Sequence, residues 1–69
     1  MKLEEILREC IGKRVELNFE TRDGSSHIIL GTLLEVTDDY IKVFNIDETN
    51  EIYINRKAVI LIAFRVYPK

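Results

Sequence analysis

Residues 59–64 read Val-Ile-Leu-Ile-Ala-Phe, apolar at all six positions, and this run restricts the fold more than any other feature of the chain. Its length and β-branched content suit a strand. Strand side chains alternate between two faces, so a strand that is apolar throughout is one covered on both sides. A small barrel covers only the inner face of its strands, so the outer face of 59–64 must lie under the N-terminal helix or under another subunit. The chain has 69 residues, which is enough for one core and predicts a single domain over 1–69. At this size burial exceeds the entropy cost of ordering only narrowly, and small chains commonly recruit a disulfide, a metal or a partner. Cys10 is the only cysteine and His27 the only histidine, which excludes an internal disulfide and a Cys/His zinc site. Association between copies is the remaining route.

Periodicity supplies the other elements. Leu3, Ile6, Leu7 and Cys10 recur at helical spacing, with Lys2, Glu4, Glu5, Arg8 and Glu9 on the opposite face. That pattern predicts a short amphipathic helix closed by Gly12. From Lys13 the period becomes two: Val15, Leu17 and Phe19 alternate with Arg14, Glu16 and Asn18, as in a half-buried strand. A turn over 22–26 leads into a strand from His27 to Val36, in which Gly31 marks a bulge or bend. Thr37-Asp38-Asp39 turns the chain into a strand over 40–46, and the turn at 47–50 leads to a short strand over 51–54. Asn55-Arg56-Lys57 is a tight link into the final strand, 58–67. Five short antiparallel strands with hairpin-length links and one bent strand predict an all-β, five-stranded barrel of the SH3-like type behind an N-terminal helix.

Hydrophobic residues make up 46% and charged residues 32% of the chain, which excludes a disordered or low-complexity segment. No stretch approaches the roughly 20 apolar residues of a membrane span, and the N-terminus lacks the order of a signal peptide, so a cytoplasmic location with no membrane partner is expected. The formal net charge is −2, but the charges are unevenly distributed. Residues 1–51 carry all 12 acids and six of the ten bases, whereas 52–69 carry Arg56, Lys57, Arg65 and Lys69 with no acid. Any anion-binding surface is therefore expected near the C-terminal segment. Ser25, Ser26 and His27 adjoin in one turn, where neighbours rarely make a nucleophile and base, and no third group completes them. The turn acids Asp38, Asp39, Asp47 and Glu48 lack calcium-loop spacing. Cys10 lies on the apolar stripe and reads as a core residue. Neither an enzyme nor a cofactor is expected.

Three stretches carry a family pattern. Gly31-Thr32-Leu33, then Asp38-Asp39-Tyr40-Ile41 one residue later than usual, and Ile54-Asn55-Arg56-Lys57-Ala58-Val59 resemble the two motifs of the Sm-like proteins, among them the bacterial Hfq branch. The resemblance covers about residues 3 to 66. It implies a cyclic homo-oligomer, a hexamer or heptamer, in which the fourth strand of each subunit pairs with the fifth of its neighbour. It also implies single-stranded RNA bound at a ring face, with Tyr40 stacking on a base and Arg56 and Lys57 contacting base or phosphate. Asn55 opens that link, and Lys42 stands where eukaryotic Sm proteins carry the Asn that reads uracil. The RNA-binding residues implied are thus Tyr40, Lys42, Asn55, Arg56 and Lys57. The alternative is an SH3-like structural or protein-interaction module without a nucleic-acid partner, favoured by the negative net charge and by a first hairpin, 20–30, longer than in Hfq.

Overall fold

The alternation at Val15, Leu17 and Phe19 sets one face of a strand against the core, and the other apolar positions join it there. In a computed structural model describing residues 3–47 and 49–67, helix α1 (Leu3–Glu9) precedes five strands: β1 (Arg14–Thr21), β2 (Ser26–Val36), β3 (Tyr40–Asn45), β4 (Asn50–Asn55) and β5 (Val59–Val66). These bounds differ from the sequence expectation by one or two residues at several ends, where strand pairing rather than apolar pattern decides the limit. All five strands form one antiparallel sheet in the order β4-β3-β2-β1-β5. Its inner face contributes Val15, Leu17, Phe19, Leu33, Val36, Ile41, Val43 and Ile54 to the core, where Leu7 and Cys10 of the helical segment join them. Cys10 is therefore a core residue, as its place on the stripe indicated.

A helix of seven residues is marginal alone in water. Here Leu7 is fully buried, Glu4 and Glu5 lie in the first turn, and Arg8 lies in the last, an arrangement that complements the helix dipole. Gly12 has a φ of 91°, the left-handed conformation that stops a helix, and its N–H donates to the Leu33 carbonyl at 2.7 Å. Leu3 and Ile6, on the predicted apolar stripe, remain exposed. Only the C-terminal half of the stripe is docked.

The sheet must curl because its two edge strands are neighbours in sequence. Residues 56–58 alone join β4 to β5, a span of at most about 14 Å, whereas the outer strands of a flat five-stranded sheet lie about 19 Å apart. The curl leaves the barrel open: β4 and β5 do not pair with each other, and each has a free edge among the described residues. A cavity of about 140 Å³ opens on this side, lined by Leu3, Leu17, Phe19, Ile54, Val59 and Leu61.

Three expectations are corrected by the packing. Gly31 is not the bulge of β2, since the register shift lies between Leu33 and Glu35. The glycine is required by close approach instead: a Cβ at Gly31 would clash with the Phe44 carbonyl oxygen. The second correction concerns β5, whose pairing with β1 shifts between Asn18 and Phe19. That bulge turns both Ile62 and Ala63 outward, while Val59, Leu61 and Phe64 pack inward. Third, α1 does not cover the outer face of β5, where Ile60 is 66% and Ile62 53% exposed. Of the two covers the sequence allowed, the helix is excluded.

The contact at Gly31 leads to a stability prediction. Gly31→Ala forces β2 and β3 apart at the centre of the sheet and is expected to cost about 1–3 kcal/mol, read as a lower midpoint in urea unfolding. An unchanged midpoint would contradict the close approach.

Candidate nucleic-acid interface

Strand alternation places Ile41 and Val43 of β3 in the core and Tyr40 and Lys42 on the outer face. The β3–β4 register sets Tyr40 opposite Asn55 and Lys42 opposite Tyr53. Two tyrosines are thereby joined: the rings of Tyr40 and Tyr53 meet edge to face, with centroids 5.2 Å apart and planes at 64°. Tyr53 was not among the residues implied by the family pattern, although its position between Ile52 and Ile54 in a period-two strand marks it as outward-facing. It is 58% exposed.

Beside the tyrosines lies a surface depression of about 360 Å³ lined by Asp39, Tyr40, Tyr53, Asn55 and Lys57. The turn that presents these groups is tightly specified. Thr37 Oγ1 accepts from the N–H groups of Asp39 and Tyr40, the Arg56 N–H donates to the Asp39 carbonyl at 2.9 Å, and Asn55 Oδ1 accepts from the Lys57 N–H at 3.0 Å. Asn55 thus shapes the link through its side chain. Lys57 is exposed, with Nζ 3.5 Å from Asp39 Oδ1.

Lys42 belongs to the same face. Its Nζ stands 5.4 Å from the centroid of the Tyr53 ring, a cation–π contact, and 3.4 Å from Glu51 Oε1. Tyr53 and then Glu51 hold the Lys42 amine above its ordinary pKa, so it remains charged. The Tyr40 hydroxyl donates to Glu35 Oε1 at 2.8 Å, and that carboxylate raises the phenol's pKa.

Arg56 points elsewhere. Its guanidinium makes a two-nitrogen ion pair with Glu4 of α1, donates to the Thr37 carbonyl at 2.7 Å, and sits half-buried beside the cavity inside the curl. Of the five residues implied by the family pattern, Tyr40, Lys42, Asn55 and Lys57 share one face with Tyr53, whereas Arg56 fastens the helix and the β2–β3 turn to the β4–β5 link. No sequence signal connects Arg56 with a carboxylate 52 positions away.

In the β1–β2 hairpin, His27 stacks on Phe19 with ring centroids 5.4 Å apart. No cluster of metal-ligating side chains occurs among the described residues, and no helix among them is long and apolar enough to cross a membrane. In comparisons with known proteins, the chain matches no family model, no curated protein and no solved structure.

The Glu4–Arg56 pair has a pH signature. The Arg56 hydrogen bonds hold the Glu4 carboxyl below its ordinary pKa, helped by the charges of Arg56 and Arg8 and opposed by desolvation. A carboxyl depressed in the folded state stabilises the fold above its unfolded pKa and loses that contribution as pH falls through the folded value. Thermal unfolding of Glu4→Gln should therefore show a lower midpoint than wild type near neutrality, with the gap closing below the ordinary carboxylate range. A gap that persists unchanged into acid would contradict the pairing.

Proposed function

We propose that the chain is a subunit of an Sm-like cytoplasmic ring of six or seven copies, joined β4 to β5, that binds single-stranded RNA on its β3–β4 face. The observation that carries this reading is the meeting of the Tyr40–Tyr53 pair with Asn55 and Lys57 around one depression, with Lys42 against the Tyr53 ring. Unpaired bases stack on tyrosine faces, and each such contact contributes about 1–3 kcal/mol. Lysines beside the rings supply the salt-sensitive phosphate contacts. A ring repeats the site in every copy, so modest single-site affinity multiplies. Two free sheet edges support edge-to-edge assembly. Within this reading Lys57 is the exposed cation, and Arg56, held by Glu4 and Thr37, keeps the link in position.

A protein-interaction module without RNA is the second reading. One feature favours it: Lys42 has Glu51 at 3.4 Å and Lys57 has Asp39 at 3.5 Å, so neither cation of the face stands without a nearby carboxylate.

Fluorescence anisotropy with a labelled single-stranded oligoribonucleotide distinguishes the two. Tyr40→Ala and Tyr53→Ala are each expected to weaken binding roughly 5- to 150-fold, the equivalent of one lost stack, and Lys57→Ala to flatten the salt dependence. Absence of binding by the wild-type chain near physiological salt would sink the RNA reading and favour the protein partner.

A further inference from the structure

The outer face of β2, β1 and β5 carries a second, independent surface. Pairing across these strands lays out a grid: Ser26, Ile28, Leu30 and Thr32 on β2 lie beside Glu20, Asn18, Glu16 and Arg14 on β1. On the other side of β1, Ile60, Ala63 and Arg65 of β5 lie beside Glu20, Asn18 and Glu16, with Ile62 in the bulge between. Tyr67 closes the row, its N–H on the Arg14 carbonyl and its hydroxyl on Glu16 Oε1. Ile28 at 65% and Ile60 at 66% are among the most exposed large apolar side chains of the molecule. Such isoleucines together on one sheet face mark an interaction surface rather than scattered exposure.

The charge pattern on this face identifies the occupant. Arg14 stands at one end of β1 and Glu20 at the other, and among the described residues neither has an ion pair within its own chain. Positions 14 and 20 are equidistant from Leu17. A two-fold axis lying across the strands at the level of Leu17 reverses the strand direction and sets Arg14 opposite Glu20 of a second copy, and the reverse. The same operation sets Ile28 opposite Leu30 of the second copy, because their β1 partners, Asn18 and Glu16, are also symmetric about Leu17. Ile60 then lies over Tyr67 of the second copy, as their partners are Glu20 and Arg14. Arg14 meets Glu20, and Ile28 and Ile60 meet apolar partners, without any shift of register, while Glu16 and Arg65 face Asn18 and Ala63 of the second copy.

We propose that this face binds a second copy of the chain, sheet on sheet about that two-fold axis, as an isologous interface. It uses side chains of the outer face, whereas edge pairing uses main-chain groups of β4 and β5, so the two associations are separable. Sedimentation equilibrium at fixed protein concentration tests it, with circular dichroism to verify folding. Arg14→Glu and Glu20→Arg each place like charges in contact and are expected to halve the mass of the wild-type particle, as is Ile28→Asp. The double reversal Arg14→Glu/Glu20→Arg restores the ion pairs and is expected to recover the full mass. If rings fail to form but this face is correct, the wild type is a dimer and the single variants are monomers; with rings, a double ring becomes a single one. Single reversals that keep the wild-type mass, or a double reversal that remains at half mass, would overturn the proposal.

Discussion

The three residues joining β4 to β5 constrain everything else in this molecule. Strands at opposite ends of the sheet order are tied by 56–58, and a chain that short cannot span the width of a flat sheet. Curling follows, and curling creates the inner face on which Leu17, Leu33 and Val43 are fully buried. The same link is fastened further, by the Arg56 N–H on Asp39, by its guanidinium on Glu4 and Thr37, and by the Arg22 guanidinium on the Lys57 carbonyl. The helix, the β2–β3 turn and the link thereby form one unit at one end of the barrel. The proposed RNA face lies on the outside of that unit.

The same constraint leaves work undone. A curled sheet of five strands whose ends do not pair keeps two free edges, and free edges of apolar strands are an association hazard unless another chain occupies them. The bulge near Ile62 increases the exposure by turning two successive residues outward. Edge pairing satisfies main-chain groups, and the outer face of β2, β1 and β5 can be buried only by side-chain contact. These are separate needs, and the molecule presents separate surfaces for them.

Much of this was legible in the sequence, for identifiable reasons. Val15, Leu17 and Phe19 announced β1 by period two, Gly12 closed the helix with a positive φ, and turn acids marked the β2–β3 and β3–β4 reversals. Local spacing dictates such features. Leu3 and Ile6 share the stripe of Leu7 but remain exposed, a difference that helical spacing does not encode. Gly31 was readable as special, though its reason, the Phe44 carbonyl one strand away, was not. Tyr53 required the β3–β4 register before it could be joined to Tyr40. Arg56 was placed by a residue of the first helix that no local pattern relates to it. In each case the missing information was a contact between distant segments.

The proposed edge-to-edge assembly is most directly tested by amide hydrogen exchange at the two free edges, followed as protein concentration is raised. The outward-directed amides of β4 and β5 should gain protection with concentration until they match those between β1 and β2. Fast exchange at these edges at every concentration, with the rest of the sheet protected, would contradict edge-to-edge assembly.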